Sequence, residues 1–234
     1  MNPIIDRLFS AIKDRKPIPP FEETLNIADA YEVQKKVSEK IYSSELLGLK
    51  AGVTSKDMQN ALGINTPLIG GLFKENQLDK NPKLPYRKGR LIECELGLFL
   101  DSHGDIQAIC AAIEFAVLDF EQKTDLSGPN LVASNVAVER FLLGEKFNDV
   151  DLLSKERCSL FRDNVIVNSA DIGESLGGPR EAAKLIANEA LRWSYRITED
   201  CFFLSGACGS VIKAEPGEYR AEFGGLGELS FEII

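Results

Sequence analysis

A chain of 234 residues with 44% hydrophobic side chains and no Pro/Gly/Ser-rich linker carries ample material for a buried core, which excludes a disordered chain. The net charge of −9, with Lys and Arg scattered, argues against nucleic acid as a partner, because affinity for phosphate backbones rests on clustered cations. Five cysteines without a C-x-x-C pair fit reduced thiols rather than a disulfide framework or a zinc site.

The opening residues Met1 to Arg7 lack the long apolar run of a signal peptide, and no later stretch is apolar enough to span a bilayer, so a soluble cytoplasmic protein without a membrane partner is expected. Ile4, Ile5, Leu8, Phe9 and Ile12 recur at helical spacing over residues 4 to 14, and Lys16-Pro17-Ile18-Pro19-Pro20 ends that helix. Asn26 to Gln34 opens a second helix, with Tyr31, Val33, Val37 and Ile41 among its apolar positions.

Leu47 to Ser55 reads as a short strand in which Lys50 stands between Gly48 and Gly52. Such a lysine is either solvated or, if it faces carboxylates, placed to bind an anionic substrate or to assist proton transfer. Lys56 to Gly63 predicts a short helix closed by glycine. Thr66 to Phe73 predicts an extended, loop-forming segment able to cover a pocket, and Asn76 to Lys88 a polar loop.

The stretch Arg90 to Leu100 is the most informative. Side chains alternate across a strand, so Glu93 and Glu95 share one face while Ile92, Cys94, Leu96, Leu98 and Leu100 line the other. Ser102-His103-Gly104-Asp105 reads as a turn, after which the apolar run from Ile106 to Leu118 is interrupted by Glu114. With His103 and Gly104 at the centre of a hairpin, facing positions sum to 207, which sets Glu114 opposite Glu93. The pair Glu93 and Glu95 alone suits a wet strand face. Three gathered carboxylates instead suit a cation, with oxygen ligands favouring Mg²⁺, Mn²⁺ or Ca²⁺. His103, the only histidine, is read as a turn residue.

Asp119 to Asn130 is polar and read as loop; Leu131 to Val138 resumes an apolar, partly β-branched run. The region Cys158 to Val167 predicts a strand pair turned at Asp163-Asn164, and residues 181 to 195 a helix with one buried stripe. Cys201 to Cys208 reads as a strand running into a glycine turn, where Ser205 and Gly206 suit either a bound carboxylate or an ordinary turn. The last residues, 221 to 234, give two strand-like pieces around a glycine-rich bend.

Taken in order, Ala30-Tyr31-Glu32-Val33-Gln34, Gly48 to Ser55, Glu93-Cys94-Glu95, Ala112-Ile113-Glu114, Leu176-Gly177-Gly178-Pro179, Leu204-Ser205-Gly206 and Glu222 to Gly227 resemble the 2-keto-4-pentenoate hydratase and 4-oxalocrotonate decarboxylase family. The resemblance covers nearly the whole chain. It implies an α+β, fumarylacetoacetate hydrolase-like fold, a mixed β-sheet or barrel core with an N-terminal helical region. It implies one domain over residues 1–234, with a helical part to about residue 75 and a β-rich metal-binding core over 76–234. It further implies Mg²⁺ or Mn²⁺ on Glu93, Glu95 and Glu114, with Lys50 in the substrate pocket and Ser205 and Gly206 flanking the substrate carboxylate.

The activity so implied is a lyase acting on a short 2-oxo or 2-hydroxydienoic acid in the catabolism of aromatic compounds, in a homo-oligomer that can associate with a partner enzyme of the same pathway. An acylpyruvate hydrolase fits the N-terminal half less well. Four departures stand out. Pro67-Leu68-Ile69-Gly70 replaces the P-D-F-G of the hydratases, which leans towards decarboxylation, since losing CO₂ needs an electron sink more than a base for water. D-N-x-S-S is reduced to Ser134-Asn135-Val136-Ala137-Val138, a glycine-rich G-x-G is missing around Ser169 to Asp171, and the interval from Glu95 to Glu114 is short. These departures also raise a second class of function, a metal-binding partner subunit without catalysis.

Overall fold

The computed structural model describes residues 3–101, 103–148, 150, 156–198 and 201–234. Helix α1 (Pro3–Lys13) and helix α2 (Ile27–Ile41) form as their apolar spacing predicts; Asn26 caps α2 by accepting a hydrogen bond from Asp29 N at 2.9 Å. Strand β1 (Leu46–Gly52) follows, then α3 (Lys56–Ala61), closed beyond its end by Gly63 at a left-handed φ of +66°. The segment expected to cover a pocket is instead strand β2 (Leu68–Phe73), paired antiparallel to β1 with Lys50 opposite Gly70. Its apolar residues are held inside the sheet. The stretch to residue 75 therefore contributes strands as well as helices.

After the short β3 (Lys83–Leu84) come β4 (Arg90–Leu100) and β5 (Ile106–Val117), whose register places Glu93 directly opposite Glu114. The expected register holds from Arg90/Val117 to Phe99/Ala108 and then shifts at Gln107. Between the strands Asp101 N donates to Asp105 O and Gly104 N donates to Asp101 O, so the turn is wider than a two-residue hairpin. Ser102 lies outside the described residues, and the bulge at Gln107 restores the ladder that leads to the carboxylates.

The apolar run from Leu131 to Val138 divides between helix α4 (Gly128–Ala133), capped by Ser127, and the start of β6 (Val138–Leu143). Strands β7 (Arg157–Arg162) and β8 (Val165–Asp171) join at Asp163-Asn164, both at positive φ as a tight hairpin requires. Helix α5 (Pro179–Arg192) starts on proline and buries Ala182, Ala183, Ile186 and Ala190. The chain continues through β9 (Phe202–Leu204), β10 (Ile212–Lys213), β11 (Gly217–Glu222) and β12 (Glu228–Ile233).

Among the described residues these strands build two sheets. One runs β2-β1-β9-β4-β5-β6, with β10 also on β4; the other runs β3-β12-β11-β7-β8. β1 pairs parallel with β9 and β12 with β3, while the remaining pairs are antiparallel. In a flat sheet β1 and β5 would stand three strand spacings apart, about 14 Å. Yet Lys50 on β1 touches Glu114 on β5, which requires the first sheet to curl into a half-barrel. Its outer face, with Leu49, Ile92, Cys94, Leu96, Ile113 and Phe115, belongs to the main core. On its inner face Phe99, Cys110, Ala112, Phe141, Phe202 and Leu204 form a second apolar plug, and the carboxylates lie beyond it on the same face. All five cysteines are buried and free, as expected of reduced thiols.

β2 is an edge strand, and side chains stand in for the strand it lacks. Tyr31 Oη accepts from Ile69 N at 2.9 Å, while Gln34 Nε2 donates to Ile69 O at 3.0 Å and to Val132 O at 2.9 Å. Asn135 Oδ1 accepts from Gly71 N at 2.8 Å and its Nδ2 donates to Gly71 O at 2.9 Å. Buried backbone groups left unpaired are unfavourable, so Tyr31 and Gln34, one turn apart on α2, hold the helix to the sheet. Asn135, Val136 and Ala137 all adopt left-handed φ, between +51° and +61°. Each such residue costs roughly 1 kcal/mol or more, which the paired contact to Gly71 helps to offset. Replacing Asn135 by Ala is expected to lower unfolding stability by roughly 2–4 kcal/mol in urea denaturation. A loss below about 1 kcal/mol would show that other groups seal this edge.

Candidate metal centre

Glu93 and Glu95 project from β4 on the inner face of the half-barrel, and Glu114 joins them from β5. Carboxylate oxygens of the three lie within 4.8 Å of one another. Glu95 and Glu114 are fully buried and Glu93 is half-buried. Lys50, only 3% exposed, reaches this cluster from β1 and places Nζ 2.9 Å from Glu114 Oε1. The sequence left open whether Lys50 was a surface residue; here it is inside.

Gly52 explains the glycine after the lysine. A Cβ there would stand 2.5 Å from Val136 Cγ1 and 3.2 Å from Lys50 Nζ, so a side chain would displace the ammonium from the acids. The balance of charge is acidic, three carboxylates against one ammonium. Burial, then the charge of Glu114, pushes the Glu93 carboxyl up to about 7 against the pull of Lys50. Glu95 is raised well above the ordinary carboxylate range by burial and by Glu114 and Glu93. For Lys50, burial acts downward, but Glu114, Glu93 and Glu95 prevail and raise it.

Glu95 Oε2 accepts a hydrogen bond from Gly206 N at 2.8 Å. Among the described residues Glu95 Oε1 and Glu114 Oε2 are buried without a hydrogen-bond partner. Unpaired buried carboxylate oxygens at this spacing, all hard donors, fit a divalent cation of the Mg²⁺, Mn²⁺ or Ca²⁺ type.

Ser205 and Gly206 sit beside the cluster in different roles. The Ser205 hydroxyl accepts from Leu96 N on β4 and donates to Gly206 O, both at 3.1 Å, so it is turned to backbone groups of β4 and of its own turn rather than to the cavity. Gly206 orients Glu95 through its amide. It adopts φ +86°, and a Cβ would meet Thr54 Cγ2 at 2.5 Å and Ser175 Oγ at 2.9 Å. Gly206→Ala is therefore expected to destabilise the fold by roughly 2 kcal/mol or more and to weaken metal binding together with it. Thermal melts with and without Mg²⁺ would show both effects, and an unchanged Mg²⁺ response would remove Gly206 from the positioning of Glu95.

A cavity of about 570 Å³ opens from Lys50 and Glu93 along the inner face. Leu91, Ala116 and Leu118 floor it, continuing the strand faces of Glu93 and Glu114. Met58 and Leu62 from the α3 region, Leu131 of α4 and Val136 wall it. Ser175 also lines the cavity, while its Oγ donates to Ser205 O at 2.9 Å. The sequence signal for these two wall residues is faint: Ser175 directly precedes the L-G-x-P segment, and Val136 is the variable position of Ser134-Asn135-Val136-Ala137-Val138. Leu68 is almost fully buried in β2, directly opposite Gly52, and brings no acid to the site. His103 stands at the far hairpin tip, consistent with a turn residue.

No family model matches the chain. Among curated proteins it is similar to 2-keto-4-pentenoate hydratase 2 of Dechloromonas aromatica (strain RCB), 28% identical over 250 residues that span 95% of this chain and 93% of that protein. It is also similar to 4-oxalocrotonate decarboxylase of Pseudomonas sp. (strain CF600), 25% identical over 233 residues, 90% of this chain and 86% of that one. Among solved structures, 4-oxalocrotonate decarboxylase from Pseudomonas putida G7, complexed with magnesium and adipate, superposes with a TM-score of 0.88 at 21% identity, covering 99% of this chain and 96% of the other. That likeness speaks for the fold, which is the fumarylacetoacetate hydrolase-like arrangement expected from the sequence.

Proposed function

We infer that this chain, a divergent member of the 2-keto-4-pentenoate hydratase and 4-oxalocrotonate decarboxylase family, is a divalent-metal-dependent lyase of a short 2-oxo or 2-hydroxydienoic acid, hydratase-like in its main reaction. The observation that carries this reading is the gathering of Glu93, Glu95 and Glu114, with unpaired buried oxygens on Glu95 and Glu114, beside a cavity that Glu93 and Lys50 line. We assign Mg²⁺ or Mn²⁺ to those three carboxylates. Such an ion would supply Lewis-acid polarisation to a bound 2-oxo acid.

The chain's own residues do the rest. Gly206 N fixes one oxygen of Glu95, which leaves the other free for the centre. Lys50 Nζ holds its protons at the edge of the acidic cluster, where it can donate a hydrogen bond to a substrate oxyanion or return a proton to the chain being hydrated. The apolar walls limit bulk water near the reacting carbons.

Leu68 favours the second reading, a 4-oxalocrotonate decarboxylase-like reaction, because an aliphatic side chain stands where the hydratase pattern places an acid. Ultraviolet monitoring of 2-hydroxypenta-2,4-dienoate and 4-oxalocrotonate with Mg²⁺ or Mn²⁺ separates the two. Turnover of the dienoate supports the hydratase and turnover of the oxo-diacid with CO₂ release the decarboxylase. Activity on neither would leave a catalytically impaired, metal-binding partner subunit. The same family reading takes the chain as a single domain, cytoplasmic and homo-oligomeric, able to work beside another enzyme of its pathway.

A further inference from the structure

A second cavity, of about 230 Å³, opens between the C-terminal ends of α1 and α2 and the start of β6. Among the described residues Ala137 alone lines both this cavity and the one beside the carboxylates, and neither Lys50 nor Glu93, Glu95 or Glu114 reaches it. In a chain of net charge −9 its lining runs the other way, with five cationic side chains against three acidic ones.

Two of those acids are already engaged. Glu139 accepts from Arg90 Nε at 2.6 Å and from Arg87 Nη1 at 3.1 Å, and Glu75 Oε1 accepts from Ser43 N at 2.8 Å and Ser43 Oγ at 2.9 Å. Lys16 turns to Asp14, outside the cavity, at 3.3 Å. Arg15 and Arg140, by contrast, make no ion pair among the described residues; Arg140 Nη1 donates to the backbone oxygen of Glu139 at 2.9 Å. Burial, then the charge of Arg15, holds the half-buried Arg140 guanidinium below its ordinary value, as two cations sharing one cavity require.

The lining is also held in place. Lys16 N donates to Ala11 O at 2.9 Å and Arg15 N to Ile12 O at 3.2 Å, with Arg15 at φ +55°, so the closing turn of α1 fixes where Arg15 leaves the helix. The Tyr42 ring stacks on Phe73 with centroids 4.2 Å apart, and its hydroxyl accepts from Asn76 Nδ2 at 3.1 Å, which leaves its own proton to donate. Lys13, Arg15 and Arg140 against Asp119 leave a surplus of positive charge that a dianion matches better than a carboxylate does. A phosphate group carries close to two negative charges at neutral pH, with oxygens enough for two guanidinium forks. Ile18, Ile41 and Val117 add apolar surface, and the volume suits a small anion rather than a drug-sized molecule.

We propose that the cleft between Arg15 and Arg140 binds a phosphate group, free or carried by a small molecule, at a site separate from the carboxylate centre. The proposal does not depend on the lyase reading.

The test is calorimetric titration with inorganic phosphate, phenyl phosphate and benzoate, with and without Mg²⁺. Both phosphates are expected to bind saturably and more tightly than benzoate, with the same affinity whether or not Mg²⁺ is present. Tighter binding of phenyl phosphate would assign the site to a phosphate ester with an apolar body, and equal binding to free phosphate; either supports the proposal. Arg140→Gln is expected to weaken phosphate by about tenfold, and Arg15→Gln, at an exposed position that the fold tolerates, by about threefold. Arg157→Gln, the same change of charge on exposed β7, is expected to leave binding unaltered. Phosphate binding that both cleft variants retain in full, that requires Mg²⁺, or that benzoate equals would overturn the proposal. Absence of saturable binding, together with a loss of oligomeric mass in Arg15→Gln, would overturn it and give the guanidiniums to a carboxylate of a second copy of the chain.

Discussion

Glu95→Gln is expected to abolish the Mg²⁺-dependent rise in melting temperature while making the metal-free protein more stable than wild type. The two effects have one cause. Glu95 is fully buried, and its carboxyl is raised well above the usual range by burial and by the neighbouring acids. Gly206 N stabilises Oε2, but Oε1 has no hydrogen-bond partner among the described residues. Without a cation, the surroundings oppose the charge of this carboxyl, so keeping it ionised or making it take up a proton is unfavourable near neutral pH.

Glutamine keeps a carbonyl oxygen for Gly206 N and presents a neutral amide to the remaining carboxylates. Relief of like-charge repulsion should raise metal-free stability by roughly 1–2 kcal/mol. Loss of an inner ligand should weaken Mg²⁺ by more than the roughly 10–100-fold typical of an outer partner. Ligand linkage makes this visible: wild-type melting temperature climbs with Mg²⁺ and the variant's stays flat. A variant that still responds to Mg²⁺ like wild type would sink the ligand assignment.

Lys50→Met is the second large effect, and its sign on stability is opposite. Lys50 is the ammonium closest to three carboxylates and is itself sealed from solvent. Removing it orphans Glu114, and breaking a buried pair from one side typically costs roughly 3–5 kcal/mol. Turnover should fall by about 10²–10⁴ if Lys50 is the proton-holding group, since methionine keeps the length but none of the protons. The double variant Lys50→Met/Glu114→Gln tests the neutralising role by stability alone. It should recover most of the metal-free stability lost by Lys50→Met in urea denaturation. No recovery would show that Glu114 is not the group Lys50 neutralises.

The gathering of the three carboxylates is legible in the sequence because strand alternation and hairpin register act locally. Glu93 and Glu95 share a face by period two, and Glu114 meets Glu93 through a ladder only a hairpin long. Lys50 was half readable. Its glycines marked a crowded strand, but its direction depends on β1 pairing with β9, residues far apart in the chain. Nothing local to Leu47–Ser55 encodes the curl that carries Lys50 to β5. The segment Thr66 to Phe73 looked like a cover because its glycines and proline suggest a loop, whereas Tyr31, Gln34 and Asn135 supply the hydrogen bonds that make it an edge strand. Ser205 resembled a substrate contact in sequence; the backbone of Leu96, on another strand, captures its hydroxyl. The cavity walls were the least visible part, since Met58, Leu126 and Leu131 look in sequence like any apolar positions of short helices and loops.

The bulge at Gln107 bears on how this chain can vary. The ladder from Arg90/Val117 to Phe99/Ala108 is continuous on the carboxylate side of the bulge, so the irregular position lies between the hairpin tip and the three carboxylates. A residue gained or lost near Asp101–Asp105 would otherwise invert every side chain down the strand, exchanging Glu114 with its apolar neighbours. With an irregular position available to absorb the change in phase, insertions and deletions at the tip can be silent for the site. The short interval between Glu95 and Glu114 closes at this outer end of the hairpin, and the three carboxylates stay together on the ladder below it.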